Sequence, residues 1–362
     1  MLSSGSESED DVVERLLDLG RQNEIPRRRI YLPRSNPFEE YDDKKFVMRY
    51  RLSKETVVRV LAQIEDNLTF NSNRNRPVSP MNQLLLSLRF YATGAFMVVC
   101  GDLVGIHKST VSRIIKRVTY NLAMLGRNVI KMPSNDIERR SVMRSFHSIA
   151  GYPGVIGCID CTHIPIQSPG GNNAELYRNR KQYFSINVQA VCDSNLLLTN
   201  VVARWPGFTH DSTIFNQSSI RAQLETGDIP EGVLLGDNGY ACNHFLHTPL
   251  LQPATRAELR YNSSHKATRN TIERTFGVLK RRFPILAMKL RVKLDTVLQV
   301  IVATAVLHNI AIASKEGEAP VDPDVNPGVQ AYGPVPVPVQ DRPQRIQATA
   351  ARTALINTVF SD

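Results

Sequence analysis

The sequence predicts an α/β protein, a helical region followed by a mixed αβα domain with a central sheet, and three observations predict it. Residues 44–131 carry apolar residues at helical spacing and few strand signals. From Gly154 the texture changes to short apolar runs, VIGCID, FSINVQAV, LLLTNVVA and GVLLGD, each bounded by Gly, Asp or Asn, as strands are. After residue 262 the helical pattern returns and runs to about Lys315. A chain of 362 residues has room for a sizeable core and two domains.

In order along the chain, residues 1–43 are expected to be a disordered or extended segment. The opening MLSSGSESEDD is polar and acidic, which excludes a secretory signal. The cluster Pro26-Arg27-Arg28-Arg29 is a candidate nuclear import signal. Residues 44–135 form the helical region and 136–315 the mixed domain. Within the latter, Cys192-Asp193-Ser194-Asn195 reads as a hairpin turn between two strands, and that is the role expected of Asp193. The longest apolar stretch, Val297 to Ala313, is broken by Gln299, His308 and Asn309 and reads as a buried helix, not a membrane span. Residues 316–362 are a Pro-rich tail, with seven prolines between Pro320 and Pro343, ending in a short helix over Arg345 to Phe360. No internal repeat is present.

The net charge of +10 is unevenly spread. Residues 74–131 hold nine Lys/Arg against Asp102 alone, and residues 256–293 hold eleven against Glu258 and Glu273. Two basic segments on an otherwise acidic chain point to a polyanion such as DNA; a solvated basic surface is the plainer alternative. Five cysteines do not make a disulfide framework in a chain this long, so a reducing, intracellular setting is expected, with no membrane.

Gly101 to Leu122 is a candidate helix-turn-helix. Gly105 can take the positive φ of a tight turn, and Ser109 is a good N-cap for the next helix. Val111, Ile114, Ile115, Val118 and Leu122 then share one face, leaving Thr110, Arg113, Lys116 and Arg117 outward to meet a major groove and its phosphates. An ordinary amphipathic hairpin fits the same pattern.

Cleavage of a phosphodiester by two metal ions needs three or more carboxylates converging on one point. Asp160 ends VIGCID and is followed by the small polar Thr162; Asp237 ends VLLGD and opens an Asn-Gly-Tyr turn. Glu273 lies on a helix whose buried stripe is Ile272, Phe276, Leu279 and Phe283, beside that stripe and flanked by Arg269 and Lys280. Each acid alone reads as structural or solvated; their order makes a set, and the three are expected to lie within metal-bridging distance. Arg269 and Lys280 are candidates to hold a DNA phosphate.

With these motifs in place the chain resembles the PIF/Harbinger superfamily of DDE transposases, and in particular the Harbinger transposase-derived nucleases. The residues that carry the resemblance are GCIDCTH (Gly157 to His163), WPGFTHDSTIFNQS (Trp205 to Ser218), LLGDNGY (Leu234 to Tyr240) and TRNTIERTFGVLKRRF (Thr268 to Phe283), within about residues 45–315. The resemblance implies an RNase H-like catalytic domain and a two-metal DDE site that cleaves DNA with Mg²⁺ or Mn²⁺. It implies Asp160, Asp237 and Glu273 as the catalytic and metal-binding acids, with 35 residues between the last two. Asp211, in His210-Asp211-Ser212, also belongs to a family motif. It is kept as a supporting metal ligand or a helix N-cap, because an RNase H-like order places the second acid after the fourth strand. Cys161 stands where the family has Gly.

The resemblance further implies a Myb/SANT-like protein partner and a nuclear location with a cytoplasmic pool; a second copy of the chain is a further candidate partner. The rival reading is a catalytically idle DNA-binding or adaptor protein. Cys158 and Cys161 have a CxxC spacing but no second pair, so they are read as small strand residues and not as a zinc or redox site. His163 and His210 are read as core or rim hydrogen-bonding groups near the cleft, with contact to substrate or metal as the alternative.

Overall fold

The structure, a computed structural model, describes residues 36–70, 76–321 and 342–361. The expectations for residues 1–35, including the basic cluster at 26–29, and for 322–341 fall outside them. From Asn36 onward the chain is one compact unit.

Among the described residues the chain begins with the helices α1 (Pro37–Glu40), α2 (Asp43–Tyr50), α3 (Lys54–Ala62), α4 (Glu65–Leu68), α5 (Pro80–Thr93), α6 (Met97–Val104), α7 (Lys108–Met124) and α8 (Gly126–Val129). Asn36, Asp42, Ser53 and Ser79 cap four of them by accepting an N–H of the first turn. Helix α1 lies in a stretch expected to be extended. Pro37 at its first turn, the Asn36 cap and the stacking of Phe38 on Phe46 at 5.0 Å override the local composition. Helix α5 is buried almost all round, and α7 buries the expected stripe from Val111 to Leu122 against it. Gly105 ends α6 with φ 64°, as a turn residue should. The cap of α7 is not Ser109: the helix starts at Lys108, and His107 Nδ1 accepts the Ser109 N–H at 3.3 Å.

Helix α9 (Asp136–Ala150) leads into a five-stranded sheet of order β3-β2-β1-β4-β5. The strands are β1 (Val155–Pro165), β2 (Ser185–Cys192), β3 (Leu198–Pro206), β4 (Val233–Leu235) and β5 (Leu246–His247). β1, β2 and β3 run antiparallel to one another, while β4 is parallel to β1, and β5 to β4. In the β2–β3 hairpin Asp193 Oδ1 accepts the N–H groups of Asn195 and Leu197, so it is the turn residue it was read to be. Helices α10 (Asp211–Asn216) and α11 (Ser219–Thr226) pack on one face with Ile156, Ile159 and Cys161. Helices α12 (Arg256–Arg282) and α13 (Leu294–Ala313) cover the other, where Cys158 and Ile164 point. Cys158 and Cys161 therefore sit in opposite layers, which leaves the CxxC spacing without a shared site.

The helical region is not a separate body. One continuous core runs from Phe46 and Leu84 through Val118 to Val188 and Leu307. Helix α13 is long and apolar enough to cross a membrane, but 67% of it is buried inside the protein against α7, α8 and β3. Two of its three polar interruptions, His308 and Asn309, have structural partners. His308 Nε2 bonds the Leu196 carbonyl at 2.8 Å, and Asn309 takes both the N–H and the C=O of Leu198. Arg282, at the end of α12 and 1% exposed, donates to the carbonyls of Arg51 and Gly317, both at 2.8 Å. The last described helix is α14 (Arg342–Val359), three residues longer at its start than the sequence suggested; Phe360 beyond it packs on Tyr152 and Tyr261.

Three buried histidines tie this fold to pH. Burial holds His247, His265 and His308 neutral, lowering each from 6.5 to about 4. Below pH 6.5 the unfolded chain binds these protons and the folded chain does not, so their stabilisation is present above 6.5 and is lost as the pH falls towards 4. The urea midpoint is expected to drop from pH 6.5 to 4.5 as these histidines take up protons on unfolding. His308→Gln, which keeps a donor for Leu196, should flatten that dependence; an unchanged slope would remove His308 from this account.

Candidate active site

The register of the parallel pair β1 and β4 builds the site. Cys158 lies opposite Leu235. Two residues further on come Asp160, in the middle of β1, and Asp237, just past the end of β4; Asp160 was expected to close its strand, but β1 runs on to Pro165. Asp160 is 7% exposed, and its Oδ1 accepts the Cys161 N–H at 2.7 Å. Asp237 turns the chain: its Oδ1 accepts the Gly239 N–H at 2.8 Å. Gly239 must be small, because a Cβ there would stand 2.9 Å from Asp237 Oδ1 and 3.6 Å from Asp211 Oδ2. Those two carboxylates thus face the same small volume. Asp211 is the first residue of α10 and not its cap, which is His210. It is held by Asn187, whose Nδ2 donates to Asp211 Oδ1 at 2.9 Å from the neighbouring strand β2.

Glu273 arrives from α12. A Thr255–Glu258 capping box starts this 27-residue helix, and the buried stripe of Ile272, Phe276 and Leu279 fixes its roll against the sheet. The guanidinium of Arg269, one turn before Glu273, donates Nη1 to Asp160 Oδ2 at 3.0 Å and Nη2 to Glu273 Oε1. A single cation therefore joins the first and third acids. The charges around it agree: burial opposes the Arg269 charge, but Asp160, Glu273 and Asp237 outweigh it and raise its pKa. All three expected acids are thereby close enough to act on one side chain. Asp160 is pushed up to about 8, first by burial and then by Asp237, with Arg269 pulling the other way and Asp211 adding to the rise. Burial also raises the Asp211 carboxyl, against the Asn187 hydrogen bond.

The acids share a neighbourhood but are not placed as a ready metal site. Among the described residues no three His, Cys, Asp or Glu side chains stand at ligand geometry. The reason is visible: Arg269 occupies the space between Asp160 and Glu273.

A scan against protein families matches residues 159–309 to the DDE superfamily endonuclease family. "Putative nuclease HARBI1" of Homo sapiens is 34% identical over 277 residues, covering 76% of this chain and 79% of its own. The chain belongs to the Harbinger-derived DDE nucleases. The protein of the same name from Rattus norvegicus is 32% identical over 331 residues, 89% of this chain and 92% of its own. "Protein ALP1-like" of Arabidopsis thaliana is 25% identical over 295 residues, 75% of this chain and 71% of its own. No solved structure matches.

The remaining candidates in this Harbinger-derived nuclease divide by exposure. Lys280 is not offered to solvent: it is 3% exposed, its Nζ donates to Thr162 Oγ1 at 2.7 Å, and burial lowers it to about 8. It braces α12 against β1 two residues from Asp160. On α7, Arg113 and Lys116 are exposed and Thr110 half-buried, but Arg117 is engaged within the chain, donating Nε to the Asn67 carbonyl at 2.9 Å and lying over Phe70. His163, beyond Thr162 on β1, shares a hydrogen bond with Ser185 Oγ at 2.9 Å and is held to about 4 by burial. His210 is exposed and meets Arg180. Asn187 and Gly239 were not singled out from the sequence. The signals for them were a polar residue inside FSINVQAV and a glycine two places after an acid.

Proposed function

We propose that this chain is an RNase H-like DDE endonuclease that cleaves DNA with divalent metal ions at Asp160, Asp237 and Glu273, with Asp211 supporting them. The observation that carries the reading is Arg269, bonded to Asp160 and Glu273 and raised by Asp237 as well. A buried cluster of carboxylates needs a cation. The donors fit a hard divalent ion: all are carboxylate oxygens, and Asp160 and Asp211 are raised by burial and by Asp237. Two such ions polarise the phosphate, lower the pKa of the attacking water and steady the leaving oxygen when bound. The chain supplies the frame. Asp160 on β1 and Asp237 just past the end of β4 come from adjacent parallel strands, Asn187 fixes Asp211, and Lys280 fixes Thr162 beside Asp160. Arg269, once its carboxylates are otherwise neutralised, has a free guanidinium beside the cut for a phosphate.

The strand order supports the RNase H-like reading, since the second acid follows the fourth strand and the third lies on a later helix. The α6–α7 hairpin, with Arg113 and Lys116 outward, supports a helix-turn-helix that holds duplex DNA. Residues 44–135 and 136–315 then differ in role while sharing a core. A nuclear location and a Myb/SANT-like partner go with a DNA substrate and with the family.

Two measurements on purified full-length chain test this. Cleavage of supercoiled DNA should require Mg²⁺ or Mn²⁺ and stop with chelator. Mn²⁺ without DNA should raise the melting temperature by several degrees, because an ion that binds only the folded state stabilises it. No shift together with no cutting, with or without a Myb-like partner, would favour the adaptor reading.

A further inference from the structure

We propose that a second surface, distinct from the acids and from α7, holds an extended single strand of DNA. It is built on the segment Lys289 to Lys293, between α12 and α13. This segment alternates: Lys289, Arg291 and Lys293 are exposed, while Leu290 is 1% exposed and Val292 half-buried. The alternation has a cause. Leu290 pairs in parallel with Ile166 just past the end of β1, its N–H bonding the Pro165 carbonyl at 3.0 Å and its carbonyl receiving the Gln167 N–H at 2.8 Å. Anchored in this way, the segment carries three exposed cations within five residues, with the chain bending at Val292 between the second and the third.

Arg291 and Lys293 open onto a cleft of about 440 Å³, whose opposite wall is Gln167, Ser168 and Pro169. No acidic side chain lines it. At its edge Phe96 is 59% exposed, with the Arg291 guanidinium 4.6 Å from its ring centre. A basic track beside an exposed aromatic ring is what proteins use to grip unpaired strands, phosphates on the cations and a base on the ring. The cleft has room for about one nucleotide and none for a duplex, so the two-stranded form is excluded from it. Ile166, just past β1, lies six residue steps beyond Asp160, about 20 Å at strand rise. A strand touching both places would span only a few nucleotides. The proposal rests on the reading of DNA as substrate, and it gives that reading a place for the strand left unpaired by cutting.

The test is fluorescence anisotropy with a labelled 20-nucleotide oligothymidine and a blunt 20-base-pair duplex. It is run in chelator, on full-length chain carrying Asp160→Asn so that nothing is cut. Lys289→Ala/Arg291→Ala/Lys293→Ala should weaken oligothymidine binding at least tenfold and lower the salt slope by about two, since each phosphate contact on a single strand contributes about 0.7. Phe96→Ala should weaken it several-fold with the slope unchanged, as stacking is uncharged. Duplex binding should change less than threefold in both, whereas Arg113→Ala/Lys116→Ala should do the reverse. All substituted side chains are exposed, and melting curves matching the parent confirm the fold. Unchanged oligothymidine affinity in the triple variant overturns the proposal. So does equal loss for strand and duplex, or a parent chain that does not bind oligothymidine. Because the assay needs no cleavage, an inactive nuclease would still give a clear answer here.

Discussion

Asp160→Asn, Asp237→Asn and Glu273→Gln are each expected to lower single-turnover DNA cleavage by about a thousandfold or more, with the fold retained. Removing one carboxylate from such a site leaves its cations short of a ligand, and the stabilisation they give the transition state, several kcal/mol, is lost with them. The fold should survive, because Asp160 and Asp211 are held at a cost: burial and like charge raise both. Asp211→Asn separates the two candidates for the second acid. Its carboxylate is already fixed by Asn187, which suits an outer partner, and its loss should cost about ten- to a hundredfold. Asn187→Ala should cost a similar amount by releasing Asp211. If Asp211→Asn were as inactive as Asp160→Asn while Asp237→Asn still cut, the second acid would be Asp211.

Arg282→Ala is expected to destabilise the chain by about 3–5 kcal/mol in urea titration. Two charge-assisted hydrogen bonds to the carbonyls of Arg51 and Gly317 would go, and the Arg51 acceptor would be left buried beside a cavity, while Gly317 is at the surface. Burial already lowers the Arg282 pKa, which marks how little solvent reaches it. Arg282→Lys should recover less than half the loss, since an ammonium does not span two acceptors as a planar guanidinium does. A change below about 1 kcal/mol for Arg282→Ala would mean that water replaces the side chain.

The sheet was legible because β1 and β2 are buried on both faces, which makes their apolar runs continuous, and because Asp193 and its neighbours spell a turn. The stripe of α7 was legible for the same reason of periodicity, but its start was not: Ser109 has the chemistry of a cap, and the histidine two places earlier took the position. The start of α12 was readable and was placed too late, since Thr255 and Glu258 have the spacing of a capping box. Asp160 and Asp237 were found as acids that close apolar runs, although β1 continues five residues past Asp160. Their partners were not, because no spacing in the chain brings Arg269 to Asp160, 109 residues away, or Asn187 to Asp211 across a strand and a turn. Lys280 misled for a related reason. A lysine beside a buried stripe reads as an outward cation, and here the hydroxyl of Thr162 draws it inward.

The placement of Asp160 on β1 and of Asp237 just past the paired strand β4 has a consequence for how such proteins diverge. Their separation in space is set by hydrogen bonds between adjacent strands, so the length of chain between them carries no geometric information. The excursion through α10 and α11 bends back at Gly227, φ 80°, on an exposed rim. Extra residues spliced in there would lengthen the loop without moving either carboxylate. The interval from Asp237 to Glu273 has no such slack, for it must lay down β5 and then enter a helix whose roll decides where Glu273 points. Drift in length among homologues should therefore collect before the second acid and be scarce after it.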